Sequence, residues 1–137
     1  MLFRSIDPNR ISVMGSSAGA IISCHLGHAE KLSVASVYAH QQPRGTPRLT
    51  VPRLRKDGPP IVIYNRSGTS DRVHHPENAA AVHKRLQSLG VYSEVYGVKG
   101  SGLTEIPEGK RIEEIVMKVF YKSWKLPFPG EKTPATK

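Results

Sequence analysis

Arg10-Ile11-Ser12-Val13-Met14-Gly15-Ser16-Ser17-Ala18-Gly19-Ala20-Ile21-Ile22 passes from a short apolar strand, through a turn of small residues, into an apolar helix. Within it, Gly15-Ser16-Ser17-Ala18-Gly19 fits G-x-S-x-G, with Ser17 in the nucleophile slot and Ser16 in a variable one. Glycines two residues either side of the serine suit a sharp strand-to-helix turn in which the backbone passes close to itself. The helix after the turn directs its amino-terminal N–H groups and positive dipole end at the serine. The Ala18 N–H is then expected to donate to an oxyanion. A Gly/Ser-rich turn without chemistry is the plain alternative, and the strand before and helix after favour the elbow.

Working outward, the elbow strand over 10–14 comes after Asp7-Pro8-Asn9, and the helix over 20–26 has no polar face, which predicts burial beneath a sheet. Small and β-branched residues over 33–38 predict a second strand. Residues 43–60 hold five prolines and four arginines without apolar periodicity, which reads as a loop crossing the surface. Ile61-Val62-Ile63-Tyr64 is a continuous apolar run, as expected of a strand covered on both faces. Pro76 opens a helix that Gly90 stops, with Ala79, Val82, Leu86 and Leu89 at helical spacing. A fourth strand is expected over 93–98, a turn at Gly100-Ser101-Gly102, and a last helix over 110–124. Strands alternating with helices imply an α/β fold of about four parallel strands, connected by right-handed crossovers. Residues 1–126 are read as one domain and 127–137 as a disordered tail. Ligands of such sheets bind at the carboxyl ends of the strands, so the loops after 14, 38, 64 and 98 matter most.

Composition narrows the partners. Twenty Lys and Arg against 11 Asp and Glu give a net charge of +9. The local concentration from Arg44 to Lys56 has no interleaved aromatic residue, which disfavours a stacking platform for nucleic acid and suits a solvated loop. Cys24 is the only cysteine, so there is no intrachain disulfide and no cysteine-built zinc site. No apolar run approaches the length of a membrane span, and Met1–Asp7 lacks the apolar core of a secretory signal. A soluble cytoplasmic protein without cofactor, metal or membrane partner is expected, although the natural start can lie upstream of Met1.

The stretch from Asp7 to Gly19 resembles the elbow region of α/β-hydrolases related to dienelactone hydrolases, acetyl-xylan-type esterases and prolyl-oligopeptidase-like peptidases. Pro59 to Tyr64 with Gly68-Thr69-Ser70-Asp71 is similar to the segment carrying that family's catalytic acid, and Pro76 to Val98 resembles the helix and strand next along the family's chain. The match runs in order over residues 7 to about 124 and corresponds to the carboxyl-terminal half of the family's domain. It implies Ser17 as nucleophile and Asp71 as the acid that orients a histidine. A turn or capping aspartate is the plain reading of Asp71.

Two departures accompany the match. The family places its histidine after the last strand in a Gly-His-Gly-like setting, and here the loop reads Val98-Lys99-Gly100-Ser101-Gly102-Leu103, with Ser101 where histidine is expected. Few residues precede the elbow strand, so the sheet's first half and the loop carrying a second oxyanion donor are expected to be missing. Loss of a triad histidine costs roughly 10⁶ in rate in a comparable system, which predicts weak or absent turnover. Of six histidines, His25, His28 and His83 fall in helices; His25 and His28 are three apart but lack a third metal ligand. His40, His74 and His75 fall on the functional edge. His74, close to Asp71, is the candidate surrogate base, with a loop residue entering the helix as the preferred reading.

The function expected is therefore a serine hydrolase fragment acting on small ester or amide substrates. The alternatives are a catalytically inactive remnant, and a basic module that holds an anionic partner through Arg44–Lys56. The elbow strand is expected to be an unpaired edge prone to homodimerisation.

Overall fold

The computed structural model describes residues 6–132. The opening residues read as lacking a leader, Met1–Ser5, lie outside the described residues, as does the tail from 133. Five parallel strands form one sheet in chain order: β1 (Ser12–Ser16), β2 (Ser36–His40), β3 (Ile61–Asn65), β4 (Ser93–Gly97) and β5 (Thr104–Glu105). The helices are α1 (Ala18–His28), α2 (Thr46–Leu49), α3 (Pro76–Ser88) and α4 (Ile112–Ser123). β5, two residues long, adds to the four strands expected.

β3 shows why the sheet is buried on both faces. Ile61 and Ile63 point into a core with Cys24, Val82 and Leu86 from α1 and α3, while Val62 points the other way onto Ile115, Val116 and Phe120 of α4. All three β3 residues are fully buried, each such aliphatic side chain contributing roughly 1.5–3 kcal/mol. The period of two in the strand thus feeds two layers from one run.

β1 and β2 both begin and end later than the residue pattern suggests, which places His40 within β2 rather than after it. The helix after the elbow is not wholly buried: Ala20, Cys24 and Gly27 face the sheet, while Ile22 and Leu26 are 57% and 41% exposed. Gly27 is required there, because a Cβ would lie 2.4 Å from Val37 Cγ2. The stretch 43–60 is a correction to the surface-loop reading. It holds α2 and a 3₁₀ turn at Val51–Arg53, with Thr46 and Thr50 fully buried. Prolines sit in the first turns of both elements, where their missing N–H costs nothing. Arg53 donates to Leu49 O, and the Arg55 guanidinium donates to the carbonyls of His28 and Ala29. Two of the four arginines therefore bond backbone carbonyls. In the tail, Phe128 lies edge-on to Tyr121 at 5.5 Å and Leu126 N–H bonds Tyr121 O, so its described part folds back on α4.

Candidate active site

The turn from β1 to α1 puts Ser17 at φ 56°, ψ −119°, outside the regions a serine ordinarily occupies. Such a backbone costs about 1–3 kcal/mol and persists only where its surroundings enforce it. Gly15 is one enforcing element, since a Cβ there would lie 2.2 Å from the Gly19 carbonyl oxygen. Gly19 itself has open space around a Cβ, so only the first glycine of the motif is required by close approach. The Ser17 carbonyl accepts from Ala20 N–H, beginning α1. Ala18, the first residue of the helix, has an N–H with no intrahelical acceptor and is solvent-exposed.

Ser17 Oγ is hydrogen-bonded to His74 Nε2 at 2.9 Å, across 57 residues of sequence. His74 Nδ1 faces Asp71 Oδ2 at 3.4 Å. The side chains of His74 and Asp71 are 22% and 33% exposed, half-sheltered at the carboxyl end of the sheet. His74 is a loop residue entering α3, as read, and its ring also reaches the serine. Asp71 organises the loop as well as facing the ring. Its Oδ1 accepts the N–H groups of Val73 and His74, and its Oδ2 accepts the Ser67 hydroxyl at 2.7 Å. The His74 N–H foremost, then the Ser67 hydroxyl, hold this carboxyl well below the usual carboxylate range.

A buried amide network supports this loop. Gln41, a non-glycine residue at φ 55°, donates from Nε2 to Ser67 Oγ and accepts the Arg66 N–H. Asn65, fully buried, donates from Nδ2 to His74 O at 2.9 Å and accepts the Gln42 N–H. Asn78 donates to the carbonyls of Gln42 and Val73. Residue patterns give no sign of these amides. A Gln-Gln pair directly after a strand is the one cue available, and it has meaning only once β2 and β3 are neighbours.

Ser16 Oγ pairs with His40 Nδ1 at 2.9 Å, setting a second serine–imidazole contact beside the first. Burial first, then Arg66 and His74, lower the His40 pKa. The His40 ring stacks between Tyr38 and Tyr64. Ser101 is 8% exposed and its Oγ accepts Leu103 N–H, closing the turn between β4 and β5. His75 caps α3 through Glu77 N–H, His83 bonds Ser93, and His25 bonds Leu49 O. Among the described residues no group of three or more His, Cys, Asp or Glu side chains is placed to hold a metal ion. Burial pushes the Cys24 thiol up to about 12, with a partial offset from Gln42, so it is no competing nucleophile.

The chain is similar to a truncated carbohydrate esterase from gut microbiota, with a TM-score of 0.62 and 15% identity over 88% of this chain and 61% of that one. The chain has a partial α/β-hydrolase fold. An acetyl ester-xyloside bifunctional hydrolase from Caldicellulosiruptor lactoaceticus gives a TM-score of 0.53 at 16% identity, over 88% of this chain and 56% of that one. Prolyl oligopeptidase B from Galerina marginata gives 0.54 at 12% identity, over 88% of this chain and 22% of that one. The chain therefore spans less than two thirds of each. No protein-family model matches it, and no curated protein matches it in sequence. No helix among the described residues is long and apolar enough to cross a membrane.

Proposed function

We propose that the chain is a serine hydrolase module in which Ser17 is the nucleophile, His74 the general base and Asp71 the residue orienting it. The observation that carries this reading is the 2.9 Å contact from Ser17 Oγ to His74 Nε2, with Asp71 on the ring's other nitrogen. His74 Nε2 takes the Ser17 proton as Oγ attacks an ester or amide carbonyl, then returns it to the leaving group. The Ala18 N–H receives the developing oxyanion. At 3.4 Å the Asp71 contact is longer than a tight charge-assisted hydrogen bond, and closure on substrate would shorten it. Among the described residues the elbow offers this oxyanion one donor, and a missing donor costs about 10²–10³ in rate. Slow turnover of small activated esters is expected. A fluorophosphonate probe provides the test: Ser17-dependent labelling of the wild type, absent in Ser17→Ala, is the expected result. Equal labelling of both proteins, or none of either, sinks the proposal.

A silent relative of the hydrolases is the second reading, favoured by Ser101 closing a turn where the family resemblance implies a histidine. It expects no Ser17-dependent labelling. We also propose that the free side of β1 pairs with a second copy, because among the described residues β1 pairs with no strand but β2 and leaves Met14 65% exposed. Two such edges related by a two-fold axis pair antiparallel. Sedimentation should show concentration-dependent dimers that Met14→Lys dissociates; a monomer at every concentration sinks the idea.

A further inference from the structure

The face of the sheet beneath α4 holds a second recess, away from Ser17. It is a cleft of about 590 Å³ between the start of β4 and α4. Gly58 and Pro60, before β3, and Val91 and Tyr92, before β4, line its amino-end part, and Tyr96, Pro107 and Lys110 line it at the carboxyl end of β4, so it runs along that strand. Ser17, Asp71 and His74 take no part in the lining, and β1 is three strands, roughly 14 Å, from β4. The volume falls within the usual range for small-molecule sites and is far too small for a macromolecule.

The lining has two halves of different chemistry. Tyr92, Tyr96, Ile115 and Val119 present aromatic and aliphatic surface. Lys56, Lys110, Lys118 and Lys122 bring four ammonium groups against one carboxylate, Glu94. That carboxylate already accepts the Tyr96 hydroxyl. Lys118 is paired with Glu114 at 3.5 Å. Lys122 lies 5.9 Å over the Tyr92 ring. Among the described residues neither Lys56 nor Lys110 has an acidic partner within salt-bridge distance. An apolar pocket rimmed by uncompensated cations is complementary to a ligand that is apolar at one end and negative at the other.

We propose that this cleft binds a small amphipathic organic anion, with a carboxylate- or sulfonate-type head between Lys56 and Lys122 and an aromatic or acyl body against Tyr92, Tyr96 and Val119. Rings stack offset or edge-on against the two tyrosines. The lysines act as adaptable point charges and set no bidentate geometry, so the head group is selected for charge more than for shape.

The probe is 8-anilinonaphthalene-1-sulfonate, titrated into the full 137-residue chain and followed by fluorescence. One saturable site is expected, with the Kd raised about tenfold by Lys56→Gln/Lys122→Gln and similarly by high salt, as for two partly exposed charges. Val119→Trp should abolish binding. Neutral N-phenyl-1-naphthylamine should bind regardless of the lysine changes, and 4-phenylbutyrate should displace the sulfonate where 4-phenylbutanol does not. Because Val119→Trp can compromise folding, the surface lysine variant carries the test. Binding unchanged in that variant overturns the proposal. So does binding lost in Met14→Gln, which would put the probe on the β1 edge. Ser17→Ala should leave the titration unaltered, so this site stands or falls apart from the hydrolase reading.

Discussion

The loop after β3 and the loop after β4 leave the same end of the same sheet, yet they are built around different groups. Residues 66–75 wrap a carboxylate: Asp71 accepts two backbone N–H groups and the Ser67 hydroxyl, and Asn65 ties the His74 carbonyl to the sheet. Residues 98–103 wrap a hydroxyl: Ser101 N–H bonds Val98 O, Ser101 Oγ accepts Leu103 N–H, and the chain passes at once into β5. The first loop thus offers acid and imidazole together, and the second offers neither. An acid and a base on one short loop need no second loop to be held in register with it. On the proposed reading, Ser101 at the place where the resemblance implies a histidine does not by itself leave Ser17 without an imidazole partner.

That contrast can be broken by experiment. The largest expected effect is His74→Ala, which should slow fluorophosphonate labelling of Ser17 by about 10⁴-fold or more, as for loss of a triad histidine. Labelling at the wild-type rate would return His74 to the status of a loop residue. Asp71→Asn should slow it by about 10²–10⁴-fold, the range for an orienting acid held at a longer contact. Next comes Ser67→Ala, which removes one charge-assisted hydrogen bond to Asp71 and should cost about tenfold. An unchanged rate would mean that the backbone N–H groups alone position the carboxylate.

The pH dependence of stability has a sign set by the same loop. The folded state holds Asp71 below its ordinary value, so its contribution is full above about pH 4 and is lost as pH falls further. The Tm difference between wild type and Asp71→Asn should therefore shrink on acidification below that point. His28 adds a separate, earlier loss: burial lowers it from 6.5 to about 4, so stability present above pH 6.5 drains away as pH falls towards 4. A Tm difference for Asp71→Asn that is flat from neutral pH to below pH 3 would contradict the first assignment. The smallest effect expected is from Ser101→His, which should change labelling by less than about twofold while His74 is in place. A marked rise would show that the loop after β4 is the natural seat of the base.

Much of the fold is legible in the residues because it rests on short-range pattern. The β3 run of apolar residues, the Pro76–Gly90 helix with its apolar spacing, and the G-x-S-x-G turn each carry their conformation within a few positions. Residues 43–60 resist such reading because prolines conceal helical turns when they occupy the first positions, and because Arg53 and Arg55 look like surface charge until α2 and α1, respectively, supply carbonyls for them. His74 is hidden for a related reason: nothing local distinguishes a histidine that enters a helix from one whose ring crosses the sheet's end to a serine.

The order of residues alone was enough to place the elbow at Ser17, the alternation of strand and helix, and Asp71 in a loop at the strands' carboxyl ends. These are matters of backbone preference and apolar period, which neighbouring residues impose on one another. Which histidine meets Ser17, how Gln41 and Asn65 brace the loop that carries it, and where Lys122 lies over Tyr92 depended on the strands lying side by side in that order and on α4 packing across them. Contacts between side chains distant in sequence exist only after the sheet has aligned the strands that bear them.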